Sequence, residues 1–178
     1  MRVIAGRYKG RRLKTPTWEG LRPTSDKLRE TLFNILAPRI DGARVLDGYA
    51  GTGAIGIEAL SRGAAHVTFV ERDPRGIALI ETNLAGSGVT DGYTIRRGDM
   101  ASVLAQLGSG SFDVIVLDPP YDNPVDGVLQ AAARAMAPDG LLVLERATRR
   151  QPESPASLDR IRDVASGDST LSFFRLTP

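Results

Sequence analysis

From Ala43 onward the chain changes rhythm every ten to fifteen residues, and that alternation limits the fold more than any other feature. Short apolar runs at Arg44–Leu46, Val67–Val70, Tyr93–Arg96, Val114–Leu117 and Leu141–Leu144 read as strands. Between them, apolar residues recur at helical spacing over Ala54–Arg62, Pro74–Leu84, Met100–Leu107 and Val125–Met136. Runs such as Val-Ile-Val-Leu and Leu-Leu-Val-Leu are apolar on both faces, as strands covered by helices on both sides must be. Repeated strand–helix–strand units with right-handed crossovers give an α/β fold with a doubly wound, mostly parallel sheet. The tail breaks the pattern. Arg160–Ala165 and Thr170–Leu176 alternate around Gly167-Asp168-Ser169, which predicts an antiparallel hairpin at the sheet edge and a total of seven strands. Gln151–Leu158 reads as a loose connection.

Upstream of Ala43 lie two further pieces. Val3-Ile4-Ala5 and Arg11-Arg12-Leu13-Lys14 flank Gly6 and Gly10, which predicts a small N-terminal hairpin. Thr15 to Pro23 reads as loop. Thr24 or Ser25 then caps a helix whose Leu28, Leu32, Ile35 and Leu36 share one face, with Pro38 marking its end. The expected division is a basic arm over residues 1–23 and one α/β domain over 24–178.

The net charge of +2 conceals an asymmetry. Residues 1–30 carry nine basic and three acidic side chains, so the remainder is acidic overall. A basic arm on an acidic body suits a polyanion, with Arg7, Lys9, Arg11, Arg12, Lys14 and Arg22 as the candidate contacts. A merely solvated terminal arm has the same composition. Trp18 in this arm reads either as a ring that stacks on RNA or as part of a small local core. The chain has no Cys and one His, which rules out disulfides, thiolate metal sites and His-rich metal sites. It has no apolar run long enough to span a membrane and no secretory h-region, so a cytoplasmic protein without metal is expected.

The first strand runs into Asp47-Gly48-Tyr49-Ala50-Gly51-Thr52-Gly53-Ala54-Ile55-Gly56. Gly51-x-Gly53-x-x-Gly56 after a strand and before a helix meets a dinucleotide-type fingerprint. Glu71 ends the second strand, where an acid accepts hydrogen bonds from ribose hydroxyls. Alone the loop fits nicotinamide enzymes, nucleoside binders or a plain tight turn. Two details favour S-adenosyl-L-methionine. Asp47 stands where a carboxylate can meet the cofactor's ammonium or nearby water, and the loop lacks basic residues for a pyrophosphate. Asp99, after the third strand, either accepts from the adenine amino group or only caps the next helix. Asp73 before Pro74 is the simpler cap.

Strand four ends in Asp118-Pro119-Pro120-Tyr121, the most specific signal in the chain. Two prolines fix the backbone and remove two N–H donors, leaving carbonyls to accept. The Asp118 carboxylate and the Pro119 carbonyl can take the two hydrogens of a base amino group. That orients the nitrogen lone pair towards a methyl donor. Tyr121 offers a ring for the base to stack on.

This tetrapeptide resembles the motif of enzymes that methylate adenine or guanine amino groups. Three further stretches narrow the resemblance to the RsmD family. They are Ile4-Ala5-Gly6-x-x-x-Gly10-Arg11-Arg12-Leu13, then Arg22-Pro23-Thr24-Ser25-Asp26-x-x-Arg29-Glu30-x-Leu32-Phe33-Asn34-Ile35-Leu36, and the run from Ala50 to Ala64. The likeness covers residues 2–145 and fades beyond Glu145. It implies a Rossmann-like class I methyltransferase that uses S-adenosyl-L-methionine on the 2-amino group of one guanine in 16S rRNA. It further implies a monomer acting on an assembled or assembling small ribosomal subunit. Catalytic roles fall to Asp118, Pro119, Pro120 and Tyr121. Cofactor contacts fall to Asp47, Tyr49, Ala50, Gly51, Thr52, Gly53, Glu71, Arg72, Asp99 and Met100, with Arg22 and Thr24 from upstream. Gly48 departs from the family, which usually has a bulky apolar residue there, and a looser cofactor loop is expected. The alternatives are an adenine amino-methyltransferase acting on DNA or RNA, and a non-catalytic RNA-binding protein with the same fold.

Overall fold

The computed structural model describes residues 1–18, 25–120 and 123–178. Along the chain run α1 (Asp26–Ile40), β1 (Arg44–Gly48), α2 (Ala54–Ser61), β2 (His66–Glu71), α3 (Pro74–Ser87), β3 (Tyr93–Arg97) and α4 (Met100–Gln106). Then come β4 (Phe112–Leu117), α5 (Asp126–Ala135), β5 (Met136–Ala147), β6 (Leu158–Ser166) and β7 (Ser169–Leu176). The seven strands form one sheet in the order β3-β2-β1-β4-β5-β7-β6. The first five are parallel, and β7 and β6 are antiparallel, as the tail's alternation predicts. Among the described residues no helix is long and apolar enough to cross a membrane.

Alternation along the central strands supplies two cores. Val45, Val67, Val114, Val116 and Val143 face α1, α2 and α3, together with Val3 and Leu13 of the arm. Leu46, Val70, Ile115, Leu117 and Leu144 face α4 and α5 on the other side. Each such side chain, once fully buried, contributes about 1.5–3 kcal/mol. The edge strand β6 carries Asp159, Arg160, Arg162 and Asp163, all exposed, which blunts it against pairing with another chain.

Two local expectations need correction. Pro38 does not end α1, which continues to Ile40. Proline there removes one intrahelical bond, to the Asn34 carbonyl, and burial of Ile40 at 1% exposure carries the helix past it. Secondly, β5 begins at Met136, five residues before Leu141, because Met136 pairs with Phe112 across an irregularity in the β4–β5 register. At Gly140 a Cβ would stand 2.8 Å from the Ala137 carbonyl oxygen, so the excursion through Pro138 and Asp139 needs glycine to close. The N-terminal hairpin is present and short: Arg2 and Arg12 form an antiparallel bridge, the Val3 N–H donates to the Arg11 carbonyl (2.9 Å) and the Leu13 N–H to the Met1 carbonyl (3.1 Å). What holds it to the rest of the protein is its docking onto α2 and α3.

That docking centres on Glu58, which is fully buried. Its two carboxylate oxygens accept from the Ile4 N–H (2.7 Å) and the Ala5 N–H (3.0 Å), and it pairs with Arg62 at 2.7 Å. Ser61 accepts at Oγ from the Tyr8 N–H and donates to the Ala5 carbonyl. Gly6 is pressed so closely onto the Ser61 carbonyl that any Cβ would overlap it, at 1.8 Å. Further along, the Asn83 side chain accepts from the Lys14 N–H (2.7 Å) and donates to the Lys14 carbonyl (3.1 Å). Arg29, also fully buried, donates to the Arg2 carbonyl and to Asp26. Among the described residues its Nε and Nη1 have no hydrogen-bond partner, and burial lowers its pKa against the pull of Asp26 and Glu58.

Candidate active site

Parallel strands that share a register end together, and here their carboxyl ends carry acids. The pairs Gly48↔Val70, Gly48↔Leu117 and Leu117↔Leu144 bring the segments after β2, β1, β4 and β5 to one edge of the sheet. The Gly48 carbonyl accepts from the Asp118 N–H at 3.3 Å, so the glycine loop and the Asp118-Pro119-Pro120 turn leave the sheet side by side. Both line one cleft of about 1020 Å³. The acids Asp47, Glu71, Asp99, Asp118 and Glu145 all contribute to its wall.

The loop owes its shape to residues in left-handed conformations. Tyr49 has φ 61, a rare value for a residue with a side chain, and Gly51 and Gly53 follow with φ 55 and 74. The Gly51 N–H donates to Glu71 Oε2 at 2.9 Å, and the Ala50 N–H to the Val70 carbonyl at 2.9 Å. Glu71 Oε1 accepts from the N–H groups of Arg72 and Asp73. Glu71 therefore fixes the loop to the end of β2, and with both sites of Oε1 and one of Oε2 filled it keeps one acceptor site on Oε2 for a ligand. Thr52 is buried, and its carbonyl accepts from Asn83 at 2.9 Å. The side chain that ties down Lys14 of the arm is thus the one that ties down the loop.

Asp47 forms the floor. It is 1% exposed, and its Oδ2 accepts from the Gly56 N–H at 2.8 Å. Burial pushes its carboxyl up to about 8; the Gly56 N–H opposes this and the Glu71 charge adds to it. Burial, reinforced by the Asp99 charge and opposed by Arg72, likewise pushes the Tyr49 hydroxyl up to about 12. Asp99 caps α4, its Oδ1 accepting from the Ser102 N–H at 3.1 Å, and it also lines the cleft. Capping and cleft-lining coexist here. Asp73 caps α3 through the Arg75 N–H, as its place before Pro74 predicts.

The space beside Gly48 is not empty. A Cβ at this position would meet Leu117 Cδ2 at 2.6 Å and Met100 Sδ at 3.0 Å. The volume of a larger residue is already taken up by these two buried side chains. The missing bulk is replaced by a tightly filled floor.

Of the predicted site residues, Asp47, Tyr49, Ala50, Gly51, Thr52, Glu71, Arg72, Asp99, Met100, Asp118, Pro119 and Pro120 all line the cleft. Gly53 caps α2 immediately behind it. Arg22, Thr24 and Tyr121 lie outside the described residues. The arm's Arg7, Lys9, Arg11, Arg12 and Lys14 are exposed and do not line the cleft; Arg7 is held at the far, C-terminal end of α2 through its N–H to Ser61. Sequence reasoning missed Glu145, which lines the cleft beside Asp118 because Leu144 pairs with Leu117, and the β6–β7 turn at Ser166–Ser169, which lines it too. For Glu145 a signal was present: an acid directly after an apolar strand, the same placement that singles out Asp47, Glu71 and Asp118.

Sheet order, strand directions and an acid-lined cleft at the carboxyl ends together define a Rossmann-like methyltransferase. The model of the family described as Conserved hypothetical protein 95 matches residues 1–175, and the chain belongs to this family, the RsmD family. The match extends through the tail, well past the point at Glu145 where the motif likeness fades. The protein named Ribosomal RNA small subunit methyltransferase D from Escherichia coli is 40% identical over 145 residues, covering 82% of this chain and 71% of that one. Its namesake from Haemophilus influenzae is 41% identical over 123 residues, covering 68% and 64%. Among solved structures, yhhF from Escherichia coli superposes with a TM-score of 0.87 at 31% identity, covering 99% of this chain and 97% of that one.

Proposed function

We propose that this protein transfers the methyl group of S-adenosyl-L-methionine to the 2-amino group of a guanine in 16S rRNA. On this reading the body over residues 24–178 performs the chemistry. The basic arm of residues 1–23 grips the RNA of an assembled or assembling small subunit, and the protein works as a cytoplasmic monomer. One observation carries the proposal: the glycine loop and the Asp118-Pro119-Pro120 turn stand on neighbouring strand ends and line the same cleft.

The chemistry of the cleft fits the cofactor. Its walls present carboxylates, which suit a ligand bearing an ammonium and a sulfonium and repel a pyrophosphate. Its volume exceeds that of a single nucleoside, leaving space for a base beside it. Glu71 would receive a ribose hydroxyl at its remaining Oε2 site, Asp99 the adenine amino group, and Asp47 with Tyr49 the amino-acid end. The bound cofactor supplies an already activated methyl group, so neither a metal nor a covalent enzyme intermediate is needed.

What remains for the protein is alignment. Asp118 and the Pro119 carbonyl accept the two N–H hydrogens of the guanine amino group. The nitrogen is thereby held with its lone pair facing the methyl donor. Pro119 is buried and rigid, so its carbonyl keeps its direction. Tyr121 supplies the stacking face. A guanine inside folded RNA has to be splayed out to reach such a turn.

The test has two arms. Mass spectrometry of rRNA nucleosides from cells with and without the gene should show one methylated guanosine lost from the small subunit. Purified protein with labelled cofactor should then modify small subunits or rRNA, and not DNA. Methylated adenosine as the missing nucleoside, or activity on naked DNA, would replace the guanine reading with the adenine one. Lack of any transfer despite cofactor binding would favour the non-catalytic alternative.

A further inference from the structure

Trp18 is the chain's single tryptophan, and it sits on the rim of the cleft. Two independent attachments bring it there. Four residues earlier, the backbone of Lys14 is bonded in both directions to Asn83, which also holds the Thr52 carbonyl of the glycine loop. At the ring itself, the Arg75 guanidinium lies 5.1 Å from the indole centroid. Arg75 is in turn fixed by Asp73, with Nη2 2.8 Å from Oδ2 and Nε 3.2 Å from each carboxylate oxygen. A carboxylate, a guanidinium and an indole therefore form one stack, built on the first turn of α3.

The position of this stack in the sheet selects its ligand. Arg75 follows Glu71 by four residues, so the stack rises at the end of β2. The Asp118 turn follows β4, which is separated from β2 by β1. Neighbouring strands lie about 4.8 Å apart, which puts roughly 10 Å between the two strand ends. Trp18 thus belongs to the Glu71 half of the cleft, away from the turn that would receive the base being modified. A half-buried indole beside an acid suited to ribose matches an adenine nucleoside, whose flat ring and hydroxyls need those two partners together.

We infer that Trp18, held by Arg75 and by the Asn83 anchor, forms a wall of the cofactor site and contacts the nucleoside half of the cofactor. This rests on the proposed use of S-adenosyl-L-methionine. It gives the basic arm a second role: the segment proposed to grip RNA also completes the pocket for the methyl donor.

The single tryptophan is its own reporter. Titrating the full chain with S-adenosylhomocysteine or methylthioadenosine should change the Trp18 emission in a saturable way. Methionine, which lacks the nucleoside, should leave it unchanged. By calorimetry, Trp18→Ala should bind S-adenosylhomocysteine about ten-fold more weakly, an effect of the size expected when a stacking face is lost. Trp18→Phe should recover most of the affinity, and its circular dichroism should match the wild type. Absence of any calorimetric binding to the wild type would overturn both this inference and the cofactor reading. Binding that leaves the emission unmoved, with unaltered affinity in Trp18→Ala, would overturn the Trp18 assignment alone. So would a Trp18→Ala variant that keeps its nucleoside affinity and loses affinity only for rRNA.

Discussion

In the reaction proposed above, Asp118 serves as a hydrogen-bond acceptor before it serves as a base. Holding the reacting atoms in line is worth about 7–11 kcal/mol, whereas a general base typically adds about 10²–10⁴-fold. Asp118→Asn keeps an acceptor oxygen and should retain measurable turnover at saturating cofactor. Asp118→Ala should be at least about ten-fold slower than Asp118→Asn, because it loses orientation as well. Single-turnover rates distinguish the two, and equal loss in both variants would make the carboxylate an obligatory base. Asp47 makes a different prediction. Its carboxyl is raised from an ordinary value of 3.8 to about 8, so between those values the folded, ligand-free protein holds a proton that the unfolded chain has released. Stability from this group is therefore greatest at the acid end and falls as pH rises towards 8, levelling above it. Thermal melts of Asp47→Asn should show a shallower decline over pH 5 to about 8 than the wild type. A parallel decline in both would place the titration elsewhere.

Elements whose residues repeat with a clear period were legible in the sequence. β1 to β4 and α2 to α5 are all present where apolar spacing puts them, within a few residues at the ends, and β5 contains its predicted run but starts five residues earlier. The acids after the strands were legible too, since Asp47, Glu71, Asp99 and Asp118 reach one cleft as the alternation requires. The anchoring of the arm was not. Glu58 looks like a surface residue of α2, flanked by Ile57 and Ala59, and nothing in its spacing says that two backbone N–H groups fifty residues upstream close on it. Long-range partners leave no trace in a local pattern. The same applies to Gly48, whose space is filled by Leu117 and Met100 from two other elements. Because Glu58 is fully buried, its removal strands the Ile4 and Ala5 N–H groups and the Arg62 guanidinium. Glu58→Ala should cost about 3–5 kcal/mol in urea denaturation. Amide exchange over residues 3–8 should accelerate in the same variant.

At the scale of the whole molecule, charge is divided between an arm and a body. Arg11, Arg12 and Lys14 are exposed, and among the described residues the anchoring bonds of this segment run through its backbone and not through these cationic side chains. Replacing all three with Gln should leave the melting temperature close to wild type. It should weaken binding to rRNA and reduce the slope of log affinity against log salt by about two, if each side chain meets one phosphate. An unchanged slope would remove these residues from the RNA surface. Substitution is the informative route, because excision is not. Val3 and Leu13 belong to the main core, Gly6 lies against the carbonyl of Ser61, and Asn83 shares its amide between Lys14 and the glycine loop. A shortened variant lacking the first fourteen residues would expose apolar surface, strip the interior Glu58 carboxylate of two backbone donors and leave Asn83 with only its bond to Thr52. Its inactivity would report damage to the scaffold and say nothing of ribosome recognition.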